Sequence, residues 1–192
     1  MINIFVLASL GIFLALMFGR TVMLSKRGIK VWVINKSSKH TAKKILEILL
    51  VPGLILFFGL IIASATGAFS FPHLWDSRFT NTIGLVLCYI GLAIFFGALL
   101  SFGEAWRIGI DDKNSDNLIT GGLFSVSRNP VFLFMDMYWL GIALIYPTII
   151  FISLLIVFAV GTHMQILSEE SFLKKKFGKE YEDYCKKVRR YL

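Results

Sequence analysis

Five long apolar stretches, separated by shorter polar ones, set the pattern of this chain. They cover approximately residues 2–24, 45–69, 80–102, 131–146 and 148–167. Because a helix needs about 20 mostly apolar residues to cross a bilayer, the pattern predicts a polytopic membrane protein with five transmembrane helices. The fourth stretch is short and meets the fifth at Tyr146-Pro147, which predicts a tight turn between antiparallel helices.

The apolar pattern becomes amphipathic after residue 167. Four large apolar or aromatic residues recur at helical spacing opposite a lysine-rich face: Leu173, Phe177, Tyr181 and Tyr184. This pattern is typical of a helix that lies in the membrane interface. We therefore predict an all-α bundle of five transmembrane helices with a C-terminal interfacial amphipathic helix.

The first apolar stretch is predicted to be a retained span rather than a cleaved signal peptide. It lacks a basic start and is longer than the apolar region of such a leader. The residues that follow it, Met23 to Arg27, offer no small-residue cleavage pattern.

The formal net charge of +8 is concentrated in two regions. Of the 20 basic residues, seven lie between the first two stretches and eight follow the last. The loop between the second and third stretches has only Arg78, and the turn at Pro147 has none. The positive-inside rule then places the basic regions in the cytoplasm and the N-terminus outside. The charge therefore indicates topology and affinity for anionic lipid, rather than a nucleic-acid partner.

Neither the cysteines nor the histidines predict a metal site. Cys88 lies inside an apolar stretch and Cys185 in the C-terminal tail, so they do not form a disulfide framework. The three histidines are scattered along the chain and lack zinc-ligand spacing.

A basic helix start precedes the fourth stretch. Arg128 comes directly before Asn129-Pro130, a pair typical of the N-cap and first position of a helix. Since free N–H groups at a helix start attract anions, Arg128 suits a carboxylate or phosphate there. An anchor to lipid headgroups is an equally weighted alternative for Arg128. The upstream Thr120-Gly121-Gly122 can bring backbone close to a ligand, although most such pairs of glycines only form turns.

Ionisable residues also lie in and after the last two stretches. Glu169-Glu170 either pair with the lysines that follow or bind an ammonium group of a ligand. His163 lies seven residues before Glu170, on the same helical face, and Asp136 lies two turns beyond Arg128. Ionisable groups inside a span indicate function, with structural hydrogen bonds as the alternative for both His163 and Asp136.

Aromatic residues surround the same end of the predicted bundle. They are Trp106, Phe124, Phe132, Tyr138, Trp139 and Tyr181. Aromatic rings are common at membrane interfaces, but they also stack on purines and attract sulfonium or ammonium cations. Together with the anion- and ammonium-binding groups, they suit a zwitterionic amino acid joined to a nucleoside, and S-adenosylmethionine fits that description.

At these residues the chain closely resembles the isoprenylcysteine carboxyl methyltransferase family and its phospholipid methyltransferase relatives. The counterparts of the family motif are Gly122, Phe124, Arg128-Asn129-Pro130, Glu169-Glu170, Leu173, Phe177-Gly178, Tyr181, Tyr184 and Arg190. At two positions the chain departs from the family pattern. Asn129 replaces the usual histidine, and Phe132 stands where a tyrosine is frequent.

The resemblance implies one membrane-embedded methyltransferase domain over residues 1–192, with scaffold spans in 1–102 and the cofactor-binding and catalytic half in 103–192. S-adenosylmethionine would lie between the 120–130 loop, the last two spans and the C-terminal helix. We expect Arg128, His163 and Glu170 to be catalytic. The expected cofactor-binding residues are Thr120, Gly121, Gly122, Phe124, Arg128, Asn129, Pro130, Glu169, Glu170 and Tyr181.

The implied methyl acceptor is lipophilic and enters from the bilayer: an isoprenylcysteine carboxylate, a phospholipid amine or another small lipid. A carboxylate acceptor is already ionised and needs no base. An amine acceptor must be neutral, which calls for a proton acceptor such as Glu170, Asp136 or His163. The motifs leave these acceptors open.

Two alternatives compete with the methyltransferase interpretation. One is a sterol-reductase-like enzyme that uses NADPH, although such proteins normally have more spans and a second basic cluster. The other is a catalytically silent membrane scaffold or transporter subunit, although the chain lacks the repeated halves typical of transporters. The short polar loops favour a prokaryotic inner (plasma) membrane, with membrane lipids as partners.

Overall fold

The computed structural model describes residues 1–29, 31, 41–106 and 117–192, with the backbone alone for 41–51. Six α-helices follow one another: α1 (Ile2–Lys26), α2 (Thr41–Thr66), α3 (Arg78–Phe102), α4 (Pro130–Ile145), α5 (Ile149–Phe177) and α6 (Lys179–Lys187). Two short 3₁₀ helices, Gly103–Ala105 and Gly122–Ser125, flank the part of the loop between α3 and α4 that lies outside the described residues. The described residues contain no extended strand, so the all-α prediction is confirmed for them.

Five apolar helices occupy the positions that the hydrophobic pattern predicts. The main difference is that the amphipathic helix predicted after residue 167 is divided: its first part belongs to α5, which continues to Phe177, and its second part is α6. Glutamate, leucine and lysine are good helix formers, so the sequence after Glu169 sustains the helix. It ends at Gly178, whose φ of 52° lies in the left-handed region that favours glycine.

Among the described residues, three helices are long and apolar enough to cross a membrane: Ile2–Lys26, Arg78–Ala105 and Ile149–Phe177. Two apolar helices are shorter, Pro52–Thr66 and Pro130–Ile145. The 16 residues of α4 extend about 24 Å, which is less than the hydrocarbon thickness of about 30 Å. The helices are therefore compatible with a membrane bundle, while the count of five spans stays a prediction.

The closest helix packing is between α3 and α4. A Cβ atom on Gly141 would lie 2.5 Å from the Gly84 carbonyl oxygen and 2.7 Å from the Cys88 Sγ atom. A Cβ on Gly84 would lie 2.5 Å from the Gly141 carbonyl oxygen. This reciprocal contact requires glycine on both helices, as is common where membrane helices approach closely.

The loop before α4 lies at the end of the bundle where α1 and α3 finish. Arg20 on α1 donates from Nη2 to the Gly103 carbonyl, and Arg27 pairs with Glu104 at 2.7 Å. The Leu123 amide donates to Ser101 Oγ at 2.9 Å, which ties the loop to the last turn of α3. We call this region the loop end of the bundle. It carries the candidate site.

The apolar face of α6 packs against the protein itself. Tyr181, Tyr184 and Val188 are buried in a small second core. The partly buried residues around them are Leu118, Leu173, Phe177 and Cys185. Because this core covers the aromatic face, that face is not free to enter the bilayer. If the C-terminal helix lies at the membrane interface as predicted, the outward lysines of α5 and α6 would make its contacts with the lipid.

Candidate functional site

A carboxylate held by two arginines lies at the centre of the loop end. Arg128 Nη2 lies 3.0 Å from Glu170 Oε1. Arg190 makes a two-pronged contact, with Nε 3.1 Å from Oε1 and Nη2 2.8 Å from Oε2. The side chains of Arg128 and Glu170 are only 12% and 13% exposed. We call these three residues the Glu170 clamp. The clamp joins the start of α4, the C-terminal part of α5 and the C-terminal segment. This end of α5 is the one predicted to be cytoplasmic.

The C-terminal segment reaches the clamp because it pairs with the loop before α4. Ser127 and Arg189 form an isolated parallel β-bridge, and the Arg128 amide donates to the Arg189 carbonyl at 3.0 Å. The Arg190 carbonyl accepts from Asn129 Nδ2 at 3.1 Å and from Ser127 Oγ at 3.4 Å. These bonds satisfy backbone groups on both segments. They also fix the direction from which the Arg190 side chain approaches Glu170.

Asn129 is the N-cap residue of α4, but its side chain does not cap the helix. Its amide instead donates to Arg190, because the side chain is turned toward the C-terminal segment and is largely buried there. The capping part of the prediction is therefore wrong. Pro130 does occupy the first turn, as predicted. The Asn129 amide thus holds two distant parts of the chain together.

The glycines and aromatic ring of the loop pack it onto α3. Gly122 has a φ of 61°, and a Cβ there would collide with the Ser101 side chain. Phe124 is buried edge-on against Phe102, with ring centroids 4.8 Å apart. Its carbonyl accepts a 2.6 Å hydrogen bond from the Tyr184 hydroxyl. These packing contacts are enough to account for Gly122 and Phe124, so neither residue needs contact with a ligand to explain its presence here.

An open cavity of about 530 Å³ lies between α5, α6 and the Glu170 clamp. Its lining residues are Arg128, Leu167, Glu170, Ser171, Lys174, Tyr181, Glu182, Cys185, Lys186 and Arg190. Four of these are cationic and two are acidic, and Lys186 also pairs with Asp183 at 2.8 Å, which leaves an excess of one positive charge around the cavity. Lys174 and Glu182 pair across its rim at 3.0 Å, where both side chains are well exposed.

Two buried donors at this cavity have no acceptor among the described residues. They are Arg128 Nε and the Tyr181 hydroxyl. Cys185 lies near that hydroxyl but without hydrogen-bond geometry. Burial raises the pKa of Tyr181, and the Glu170 carboxylate raises it further, so the hydroxyl keeps its proton at neutral pH. Because unpaired buried donors are costly, their position beside a cavity indicates a ligand that accepts hydrogen bonds.

A second polar group lies between α4, α5 and the C-terminus. Asp136 Oδ1 accepts from Thr162 Oγ1 at 3.0 Å, and His163 Nδ1 lies 2.9 Å from the Tyr191 hydroxyl. Burial raises the pKa of Tyr191, and the Asp136 carboxylate raises it further. Asp136, His163 and Tyr191 therefore lie near one another, outside the cavity wall. His163 is exposed on the outer surface of α5.

The structure brings together only part of the predicted site. Arg128, Glu170 and Tyr181 line the cavity. The other predicted cofactor-binding residues do not, and these are Thr120, Gly121, Gly122, Phe124, Asn129, Pro130 and Glu169. Glu169 accepts a hydrogen bond from Gln165 at 3.0 Å, within α5.

The cavity and the neighbouring polar group also contain residues that were not predicted to bind the cofactor or to act in catalysis. Arg190 and Tyr191 belong to the C-terminal segment, and Cys185 and Lys186 to α6. No periodicity links residues 127–129 to 188–190, since an isolated bridge leaves no repeating pattern in the sequence. Arg190 was a counterpart of the family motif, but it had been given no role at the site.

Comparison with known proteins identifies the family. The sequence profile of the phospholipid methyltransferase family matches residues 79–180, which is more than half of the chain. The chain belongs to this family. Two relatives from rice, one from the indica and one from the japonica subspecies, each carry the name "Probable protein-S-isoprenylcysteine O-methyltransferase". Each is 33% identical over 129 residues, covering 64% of this chain and 66% of the relative.

Membership of the phospholipid methyltransferase family, with the long apolar helices, makes this an integral membrane protein of a methyltransferase family. It disfavours the reductase and scaffold alternatives. The profile covers α3 to α5 and stops at residue 180, just before Tyr181, Cys185 and Arg190. The chain spans slightly under two thirds of the length of the rice relatives. Since those relatives come from a plant, the prokaryotic membrane stays a prediction.

Proposed function

We propose that this chain is a membrane-embedded, S-adenosylmethionine-dependent methyltransferase that acts on a lipophilic acceptor. The observation that carries the proposal is the cavity beside the Glu170 clamp, with two buried donors that lack acceptors. It lies in a chain that belongs to a family of membrane methyltransferases. The rice relatives support an acceptor of the isoprenylcysteine carboxylate type, and the family description supports a phospholipid amine.

The residues around the cavity fit this cofactor. A volume of about 530 Å³ is within the range of about 300–1,000 Å³ that is usual for small-molecule sites. Arg128 Nε is free to bind the carboxylate of an amino acid. The Tyr181 hydroxyl is free to donate to it or to a ribose or adenine acceptor.

Glu170 would bind the ammonium group of the same amino acid. A carboxylate offers about four lone-pair sites, and the two arginines use three of them. One site on Oε2 is left for an ammonium hydrogen. Glu170 would then connect the ligand to both arginines, so that Arg190 positions Glu170 rather than acting on the ligand directly.

The bound cofactor would supply an electrophilic methyl group on a sulfonium. The protein's own contribution is to hold donor and acceptor in line, which supplies most of the rate in such a displacement. For an amine acceptor, the Asp136, His163 and Tyr191 group offers a proton acceptor at membrane depth. Glu170 is less suited to that role, because both of its carboxylate oxygens already accept from arginine side chains.

We further propose one membrane-embedded domain of five spans, with residues 1–102 as scaffold, the site in 103–192 and the loop end in the cytoplasm. This topology is supported by the basic residues after α5 and by the paired ends of α1 and α3. Under it, the α4–α5 turn lies outside. The outward lysines of α5 and α6 would contact anionic headgroups.

The proposal predicts saturable binding of S-adenosylhomocysteine, measured by isothermal titration calorimetry on the detergent-purified chain. Tyr181→Phe should weaken binding about 2- to 10-fold, which is the usual contribution of one neutral hydrogen bond. This variant is informative because the hydroxyl has no partner within the described structure. Its removal should therefore leave thermal stability unchanged, and weaker binding would report contact with the ligand.

Arg128→Met should weaken binding more, about 10- to 100-fold, because it removes a charged hydrogen bond. Lys175→Met is the matched control: it removes one positive charge from an exposed position on α5 that does not line the cavity. If both variants lost affinity for S-adenosylhomocysteine equally, the change in net charge would explain the effect, and a specific contact with Arg128 would not. If folded wild-type protein bound NADPH but not S-adenosylhomocysteine, the proposal would be overturned in favour of the reductase alternative.

A further inference from the structure

The two cysteines of the chain are in opposite environments. Cys88 lies inside α3, is fully buried and touches the α4 backbone near Tyr138. Cys185 lies on α6, is partly exposed and lines the cavity. A reagent in solution can therefore reach the Cys185 thiol through the open cavity, whereas Cys88 is enclosed between two helices.

A neighbouring side chain, Tyr181, also indicates that a ligand binds beside Cys185. Tyr181 precedes it by one helical turn, so the two side chains lie on the same face of α6. Tyr181 lines the cavity but is only 3% exposed, and its buried hydroxyl has no hydrogen-bond partner among the described residues. The thiol thus lies next to a buried donor that a bound molecule would satisfy.

The charge of the cavity selects the kind of molecule that would react there. Lys174, Lys186 and Arg190 lie around the same opening as Cys185. Lys174 and Lys186 pair with Glu182 and Asp183, and the cations around the cavity still outnumber the carboxylates by one. Such a site raises the local concentration of anions. Low-molecular-weight disulfides of the glutathione class carry more carboxylates than ammonium groups, so they are attracted to this opening.

We propose that Cys185 is a covalent modification site where an anionic low-molecular-weight disulfide of the glutathione class forms a mixed disulfide that closes the cavity. The Cys185 thiolate attacks one sulfur of the disulfide, and the disulfide bond breaks as the new S–S bond forms. The leaving sulfur takes the electron pair and then a proton, which replaces the proton lost by Cys185. Cys185 is oxidised and half of the reagent is reduced, and excess thiol reverses the exchange.

The modification would control the proposed methyltransferase, and in this respect the inference depends on the proposed function. A tripeptide-sized adduct on Cys185 would fill space beside Arg128, Glu170 and Tyr181. It would also place its carboxylates near Arg128, the cation that we assign to the cofactor. Binding of the cofactor and modification of Cys185 should therefore exclude each other.

The test is to incubate the full-length purified chain with oxidised glutathione and to measure adducts by intact and peptide mass spectrometry. We expect one adduct per chain, on Cys185 and not on Cys88, and its removal by dithiothreitol. Cys185→Ser should give no adduct, and Cys88→Ala should give the same adduct as wild type. With S-adenosylhomocysteine at about ten times its Kd, modification should slow about ten-fold, because only the unliganded fraction reacts.

The possible results separate this proposal from the proposed function. An adduct on Cys88 alone, or none on Cys185 when neutral iodoacetamide labels it, would overturn the modification site. An adduct on Cys185 with unchanged binding of S-adenosylhomocysteine would overturn closure of the cavity and leave the proposed function standing. If the untreated chain does not bind S-adenosylhomocysteine, the proposed function fails, while mass spectrometry still decides whether Cys185 is modified.

Discussion

Glu170→Gln is expected to destabilise the protein by about 3 kcal/mol, the low end of what breaking a buried ion pair costs. The change keeps the shape of the side chain but removes the charge shared by two arginines. Arg128 is only 12% exposed and would keep its charge without a counter-ion. Arg190 would lose at least one of its two bonds, because the amide nitrogen of glutamine cannot accept a hydrogen bond. Thermal unfolding in detergent, followed by circular dichroism, measures the loss.

Glu182→Gln is the matched control for this variant. It makes the same atomic change in a glutamate that also lines the cavity and pairs with one cation, Lys174, at 3.0 Å. That pair is 65% and 49% exposed, so its loss should cost less than about 1 kcal/mol. If the two variants were equally stable, the Glu170 clamp would not hold the C-terminal segment in place.

Gly141→Ala is expected to destabilise the protein by about 3 kcal/mol, because it overpacks the contact between α3 and α4. The added methyl group would lie 2.5 Å from a backbone carbonyl oxygen and 2.7 Å from the Cys88 sulfur. Neither atom belongs to the far end of a flexible side chain, so the helices themselves must separate. Expression level and thermal unfolding would both report the change.

Gly161→Ala provides the comparison, since a Cβ at Gly161 on α5 would meet no atom within 4 Å. There the substitution should be neutral or stabilising by up to about 1 kcal/mol, because alanine favours the helix over glycine. If Gly141→Ala were as stable as Gly161→Ala, the reciprocal glycine contact would be wrong. The pair separates a packing effect from the general preference of helices for alanine.

The sequence predicted the apolar helices because hydrophobic periodicity is a local property. The starts of α3 and α4 lie within two residues of the predicted segments. The break between α5 and α6 was missed because the helical spacing of Phe177, Tyr181 and Tyr184 continues across it. Only the left-handed conformation of Gly178 ends α5.

The candidate site was harder to predict, because its geometry depends on pairing between distant segments. Arg128 and Glu170 were recognised as complementary to a charged ligand, but their direct contact with each other was not predicted. Asn129 illustrates the reason. Its position before a proline favours a helix cap, yet the Arg190 carbonyl, 61 residues away in sequence, takes its amide instead. Tertiary partners of this kind leave no local pattern.

The most direct test of the proposed function is methyl transfer in proteoliposomes supplied with S-adenosylmethionine that carries a radiolabelled methyl group. Lipids bearing a primary amine and a prenylated cysteine with a free carboxylate would be offered separately. We predict label in the lipid phase with wild-type protein and with Lys175→Met, and little or none with Arg128→Met. Binding of S-adenosylhomocysteine without label in either acceptor would contradict the proposed acceptor classes. Equal label with wild type and Arg128→Met would contradict the assignment of the cavity as the cofactor site.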